Sequence, residues 1–189
     1  MNKKMWAIVI LVALVVIVAA LYAGSNVEGP TGSNPPKTFD PANATYRIDG
    51  APVTLVEGRS SAAAAPGSAT QVTTSIFGEP VSGDLNGDGT PDAAMVIVQN
   101  PGGSGTFYYV VAAINASNVA EGTNAVLLGD RIAPQTISIE NGQIVVNYAE
   151  RKPSEPMSTP PSIGVTKYLT ITGTSTLAAV NKVTGPGAN

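Results

Sequence analysis

The 189 residues carry a formal net charge of −3 and contain neither cysteine nor histidine. The acidic balance argues against a nucleic-acid footprint. The missing residue types exclude disulfides, thiol catalysis, thiolate or imidazole metal sites, a lipid-modified N-terminal cysteine and Ser-His-Asp chemistry, which leaves carboxylates, Lys, Tyr or an oxygen-ligated metal for any catalysis.

In chain order, Met1-Asn2-Lys3-Lys4 precede an unbroken apolar run from Met5 to Ala23. As a helix this run would reach ~28 Å, close to the ~30 Å hydrocarbon core of a bilayer. Lys3 and Lys4 would stay on the cytoplasmic side and place everything after Gly24 outside. The expectation is a cytoplasmic stub over 1–4 and a transmembrane anchor or uncleaved signal over 5–23. The alternative is a signal that is cleaved near Val18-Ala19-Ala20 or Leu21-Tyr22-Ala23, which releases a secreted or periplasmic protein. Either way the rest is exported. A type IV pilin start is rejected, because no Glu occurs before Glu28 and no Gly before Gly24.

Residues 24–44 read as a linker, with Pro30, Pro35, Pro36 and Pro41 set among Gly, Ser and Asn. From Thr45 the signal is period two with hairpin turns. Tyr46-Arg47-Ile48 and Ala51-Pro52-Val53 flank Asp49-Gly50, and a two-residue type I′ turn there would pair Ile48 with Ala51 and Tyr46 with Val53. Pro52 suggests an edge position. Ser60 to Ala69 reads as a loop, because its alanine run is too short to hold a helix. Gln71 to Phe77 reads as a strand.

The segment Gly83-Asp84-Leu85-Asn86-Gly87-Asp88-Gly89-Thr90-Pro91-Asp92 has a chemical address. Asp84, Asn86 and Asp88 place oxygen donors at alternate positions, Thr90 offers its carbonyl and Asp92 returns a further carboxylate. That layout suits a loop wrapping a hard divalent cation, and Ca²⁺ is the expected structural cofactor. An EF-hand is excluded, since the position for its bidentate Glu is Met95. The bland alternative is a solvated Asp/Asn/Gly turn.

Ala93 to Val98 is nearly all apolar and reads as a central strand covered on both faces. Asn100 to Gly105 breaks it. Thr106 to Ile114 follows as a strong strand, and Ala125 to Leu128 as a short one. Ile137 to Glu140 and Gln143 to Tyr148 flank Asn141-Gly142, a turn that would pair Ile139 with Ile144 and Ile137 with Val146. Arg151 to Pro161 is a proline-rich loop, Val165 to Thr172 alternates again, and 174–189 reads as a flexible tail in which only Leu177 to Val180 could dock. The expected fold is all-β over 45–173, with eight or nine strands in a single sandwich, a partly open barrel or a multistranded antiparallel sheet, preceded by one N-terminal transmembrane helix.

Other candidates have bland readings beside them. Gly102-Gly103-Ser104-Gly105 lacks the Lys-Ser/Thr ending of a phosphate loop and reads as a hairpin loop. Gly129-Asp130-Arg131 is either a ligand contact or a turn whose charges brace a neighbouring loop. Tyr108, Tyr109 and Tyr148 form either a carbohydrate-stacking patch or the packed face of a sheet. Asn43-Ala44-Thr45 and Asn115-Ala116-Ser117 match glycosylation sequons.

The acidic segment, with Asp84, Asn86, Asp88, Thr90 and Asp92 before an apolar strand, resembles the calcium loops of FG-GAP-type blades, in which the loop joins strands and the ion fixes its shape. A full propeller is excluded by length. A broader resemblance runs from about Thr45 to Thr172. The order Gly-Asp-Leu-Asn-Gly-Asp-Gly (83–89), Gly-Ser-Gly-Thr-Phe-Tyr-Tyr-Val (103–110), Leu-Leu-Gly-Asp-Arg (127–131) and Arg-Lys-Pro-Ser-Glu-Pro-Met (151–157) is similar to an uncharacterised family of exported bacterial β-domains. Some of those relatives are lipoproteins or accompany a META-type domain. The resemblance implies an envelope location and brings no activity. The absence of cysteine departs from the lipoprotein pattern.

The function expected from these readings is a membrane-anchored extracytoplasmic, cell-envelope β-domain with a structural Ca²⁺ loop. It would act as a binding module for an envelope protein or glycan, with no catalysis and no nucleic-acid partner. The location would be the bacterial cytoplasmic membrane, single-pass, with the N-terminus inside. The alternatives are a metal-assisted envelope hydrolase and a periplasmic inhibitor of a lytic enzyme.

Overall fold

A computed structural model describes residues 38–180. The expected stub, the transmembrane anchor over 5–23 and most of the linker lie outside the described residues. Among the described residues no helix is long and apolar enough to cross a membrane.

The fold is all-β and antiparallel, as expected. A 3₁₀ turn at Pro41–Asn43, capped by the Asp40 carboxylate on the Ala42 amide, leads into the hairpin β1 (Thr45–Ile48) and β2 (Ala51–Thr54). Asp49 and Gly50 both take positive φ, at 50° and 83°, as a type I′ turn requires. The pairs Tyr46 with Val53 and Ile48 with Ala51 follow. This hairpin forms its own two-stranded sheet.

A second sheet has the order β3 (Arg59–Ala63), β4 (Gln71–Gly83), β5 (Asp92–Asn100), β6 (Phe107–Ala116) and β7 (Val119–Gly122). β8 (Val126–Asp130) pairs with the N-terminal half of β6 and β7 with its C-terminal half, so the two share one edge of β6 in tandem. The third sheet has the order β12 (Thr176–Val180), β11 (Ile163–Thr172), β10 (Gln143–Glu150), β9 (Ala133–Glu140). Its β9–β10 hairpin turns on Asn141-Gly142 and pairs Ile139 with Ile144 and Ile137 with Val146.

The second and third sheets stack face to face as a sandwich, with the N-terminal hairpin on the outer face of the second. Ala94, Val96, Val110 and Ala112 from the second sheet meet Ile144, Val146, Tyr148, Leu169 and Leu177 from the third in one buried cluster. The opposite face of β5 and β6 presents Met95, Ile97, Tyr109, Val111 and Ala113 to Tyr46, Ile48 and Leu55 of the N-terminal hairpin region. Because side chains alternate across a strand, burial on both faces demands the continuous apolar run of residues 93–98.

Three expectations are corrected. Among the described residues there are twelve strands, not eight or nine. Within Ser60 to Ala69, expected as loop, residues up to Ala63 extend strand β3 and pair with β4, Ala62 opposite Val72. The neighbouring strand satisfies their backbone groups, which outweighs the weak β preference of Ala and Ser. Within the segment expected to fray, residues 176–180 form β12, where Leu177 is buried and Ile171 pairs with it.

Candidate functional site

The acidic loop joins β4 to β5 at one end of the sandwich. The turns β6–β7, β9–β10 and β11–β12 lie at the same end. Gly83 stands against Ile139, and a Cβ on Gly142 would lie 3.8 Å from the Asp84 carbonyl. The connecting residues 84–91, 117–118, 141–142 and 173–175 contain no Lys or Arg. Asp84 and Asp88 are therefore the charged residues of these connections, with Glu140 and Glu121 on the adjoining strands and the buried Asp92 behind them.

Local hydrogen bonds fix the loop's shape. Asp84 accepts from the Gly87 amide at 2.7 Å through Oδ1 and from the Gly89 amide at 2.9 Å through Oδ2. The Asn86 Oδ1 accepts from the Asp88 amide at 3.0 Å, and the Asp88 Oδ1 accepts from the Thr90 amide at 2.7 Å. Asn86 also donates Nδ2–H to the Asp88 Oδ2 at 2.9 Å. These side-chain-to-backbone turns are the ordinary chemistry of Asp and Asn. The Asn86 amide and the Thr90 amide hold the Asp88 carboxyl below the usual carboxylate range.

Asp92 does something different. It is 0% exposed. Its Oδ2 accepts from the Leu85 amide at 2.9 Å and its Oδ1 from the Asn115 amide at 2.8 Å. The first bond closes the loop across its base, where Leu85 enters the core, and the second ties the loop to the end of β6. The Asn115 Nδ2 also donates to the Pro91 carbonyl at 3.3 Å. Asp92 is thus a buried bracket whose two carboxylate oxygens each accept a main-chain amide. The bracket was not read from the sequence, where Asn115 stood only in a sequon. The available signal was position, because an Asp that opens a wholly buried strand must find donors inside.

An sp² oxygen has two lone pairs, so Asp84, Asn86 and Asp88 each keep acceptor capacity beyond the amide they already hold, and the Thr90 carbonyl adds another oxygen. Asp92 faces inward. Among the described residues no three His, Cys, Asp or Glu side chains converge closely enough to hold a metal ion. The geometry therefore offers one half-buried carboxylate, Asp84, one exposed carboxylate, Asp88, one amide oxygen and main-chain carbonyls, a sparse donor set for a hard cation.

The remaining candidates resolve structurally. Tyr109 lies on the face under the N-terminal hairpin and donates its hydroxyl to Asp49 at 3.3 Å, whereas Tyr148 is buried between the sheets. Tyr108 meets Phe77 edge-to-face at 5.4 Å. The three tyrosines form no common patch. Arg131 braces loops: its side chain bonds the Ser104 carbonyl, its amide donates to Thr106 at 2.7 Å, and its ion pair with Asp130 is 3.7 Å. Arg151 donates to the Arg131 carbonyl at 2.7 Å and to the Thr159 carbonyl, which pins the proline-rich loop. Among the described residues no second carboxylate pairs with Arg131.

Compared with protein-family models, with curated proteins and with solved structures, the chain matches none of them.

Proposed function

We propose that the domain is a membrane-anchored, extracytoplasmic binding module without catalysis, whose acidic end is stiffened by a weakly bound Ca²⁺. The observation that carries this reading is the loop itself. Asp84, Asn86 and Asp88 are held by their own amide bonds at the one end of the sandwich whose connecting residues carry no basic side chain. Two carboxylates so placed repel each other when no cation is near, and binding one relieves that repulsion. Asp84, Asn86, Asp88 and the Thr90 carbonyl would supply the oxygens, while Asp92 holds the loop from behind. Export is supported by the apolar run over 5–23 behind Lys3 and Lys4. The loop-bearing end of a sandwich is a natural recognition surface, since loops vary freely on a rigid frame.

Isothermal titration of the full chain with CaCl₂ tests the ion. A single weak site, with a dissociation constant on the order of 10⁻⁴ to 10⁻³ M, is expected in the wild type and lost in Asp84→Asn/Asp88→Asn. Equal flat traces would remove Ca²⁺ from the proposal. Protease accessibility in intact cells and spheroplasts tests the location.

A further inference from the structure

The two edges of the third sheet are treated differently. On the β12 side, the Asn124 side chain donates to the Leu177 carbonyl and accepts from its amide, both at 2.9 Å, and so occupies that edge. The Lys167 Nζ adds a bond to the Leu127 carbonyl at 2.9 Å. On the other side β9 ends the sheet. Its first half carries two ordinary edge protections, Pro134 and an unpaired Gln135 in a bulge between the pairs Tyr148 with Pro134 and Asn147 with Thr136. Its second half, Thr136 to Glu140, carries neither Pro nor Lys.

Which backbone groups are free follows from the turn. In a two-residue hairpin the flanking residues, here Glu140 and Gln143, exchange both N–H···O bonds, and bonded pairs alternate along the ladder. Glu140, Ser138 and Thr136 therefore bond inward to β10. Ile139 and Ile137 point their N–H and C=O groups away from it, and no described main-chain segment bonds them. Beside this edge lies a groove of about 300 Å³, walled by Phe77, Gly78, Glu79 and Val81 of β4 and by Pro134 to Ile137 of β9, with Val96 also lining it. Phe77 is 41% exposed there. The residues Gly78 to Pro80 bulge out of register between the pairs Phe77 with Val96 and Val81 with Ala94. Glu79 is the groove's one charged residue and has no ionic partner among the described residues.

Resting on the reading of the domain as a binding module, but not on its ion, we infer that β9 receives an extended peptide segment of a partner protein as an added strand. A row of alternating amide and carbonyl groups is complemented by extended backbone, which supplies the affinity. Alternate side chains of that segment face the groove and supply the selectivity: an apolar residue against Phe77, Val81 and Val96, and a Lys or Arg beside Glu79.

The probe is a displayed library of random decapeptides selected on the full chain, followed by amide exchange of the ¹⁵N-labelled full chain with the best peptide. The free protein should exchange the Ile137 and Ile139 amides fast and those of Thr136, Ser138 and Glu140 slowly. Enriched peptides should alternate apolar residues, carry Lys or Arg, and slow exchange at Ile137 and Ile139 together. Glu79→Lys should weaken them about fivefold or more while leaving the fold's amide pattern unchanged. Enriched peptides that leave these two amides fast would overturn the β9 site and leave the binding-module reading standing. No enrichment at all would defeat both. Concentration-dependent protection of the same amides without peptide would assign the edge to a second copy of the chain and overturn the proposal.

Discussion

The side-chain amide of Asn124 stands in for a strand. It meets both main-chain groups of Leu177 at 2.9 Å, in the geometry a neighbouring residue of a sheet would use. Its own backbone segment is held from the other side by β1, since the Arg47 amide donates to the Thr123 carbonyl at 3.0 Å and the Ala125 amide to the Arg47 carbonyl at 2.7 Å. One residue thereby links the third sheet to the N-terminal hairpin.

Asn124→Ala should cost about 1–3 kcal/mol, because two buried-edge backbone groups lose their partner. Urea unfolding measures the total, and faster amide exchange at Leu177 relative to Leu169 identifies fraying of β12 as the route. An unchanged Leu177 exchange rate would show that the bonds contribute nothing.

Asp92→Asn should destabilise by about 2–3 kcal/mol, although it is nearly isosteric. An amide offers one acceptor oxygen and turns an NH₂ toward either the Leu85 or the Asn115 amide, donor against donor. Asp84→Asn keeps a turn acceptor at a half-buried position that water can reach, and should cost less than about 1 kcal/mol without calcium. Chemical denaturation of the two variants side by side checks the contrast.

Calcium should raise the stability of the wild type modestly. At ~1 mM free ion and a dissociation constant of ~10⁻⁴ M, linkage gives about 1.4 kcal/mol. A calorimetric scan with CaCl₂ and with chelator should show that rise in the wild type and none in Asp84→Asn/Asp88→Asn.

High pH should unfold the domain through its tyrosines. Burial, with the Asp49 carboxylate second, pushes the Tyr109 hydroxyl up to about 12, and burial raises Tyr46 further in the same direction. Unfolded tyrosines ionise near pH 10, so the unfolded chain releases protons first and stability falls as pH rises from about 10 toward 12. At the acid end, the lowered carboxyl of Asp88 favours the fold above the usual Asp range and loses that contribution as pH falls through it. Tyrosinate absorbance at 295 nm should lag behind that of a denatured control and jump with unfolding.

Gly122→Ala should fail to fold normally. A Cβ there would stand 2.2 Å from the Thr45 carbonyl oxygen, where β7 approaches β1 backbone to backbone. Lower soluble yield together with loss of the Tyr109 environment is the expected result.

Local chemistry made both hairpins legible in the chain. Asp-Gly and Asn-Gly accept positive φ, and the alternating apolar residues beside them set the register down to the residue. The run at 93–98 likewise announced a strand buried twice, since no exposed face could carry it. The acidic loop could be located but not apportioned. Spacing treats Asp84, Asp88 and Asp92 alike, whereas the fold buries only Asp92, whose two oxygens are met by the Leu85 amide of the loop and the Asn115 amide of β6. The strands β3 and β12, the Asn124 latch and the open edge of β9 depend on which segments become neighbours, Asn124 and Leu177 across 53 residues of chain. Backbone groups have no sequence of their own, so their partners were decided only when the sheets closed on a shared core.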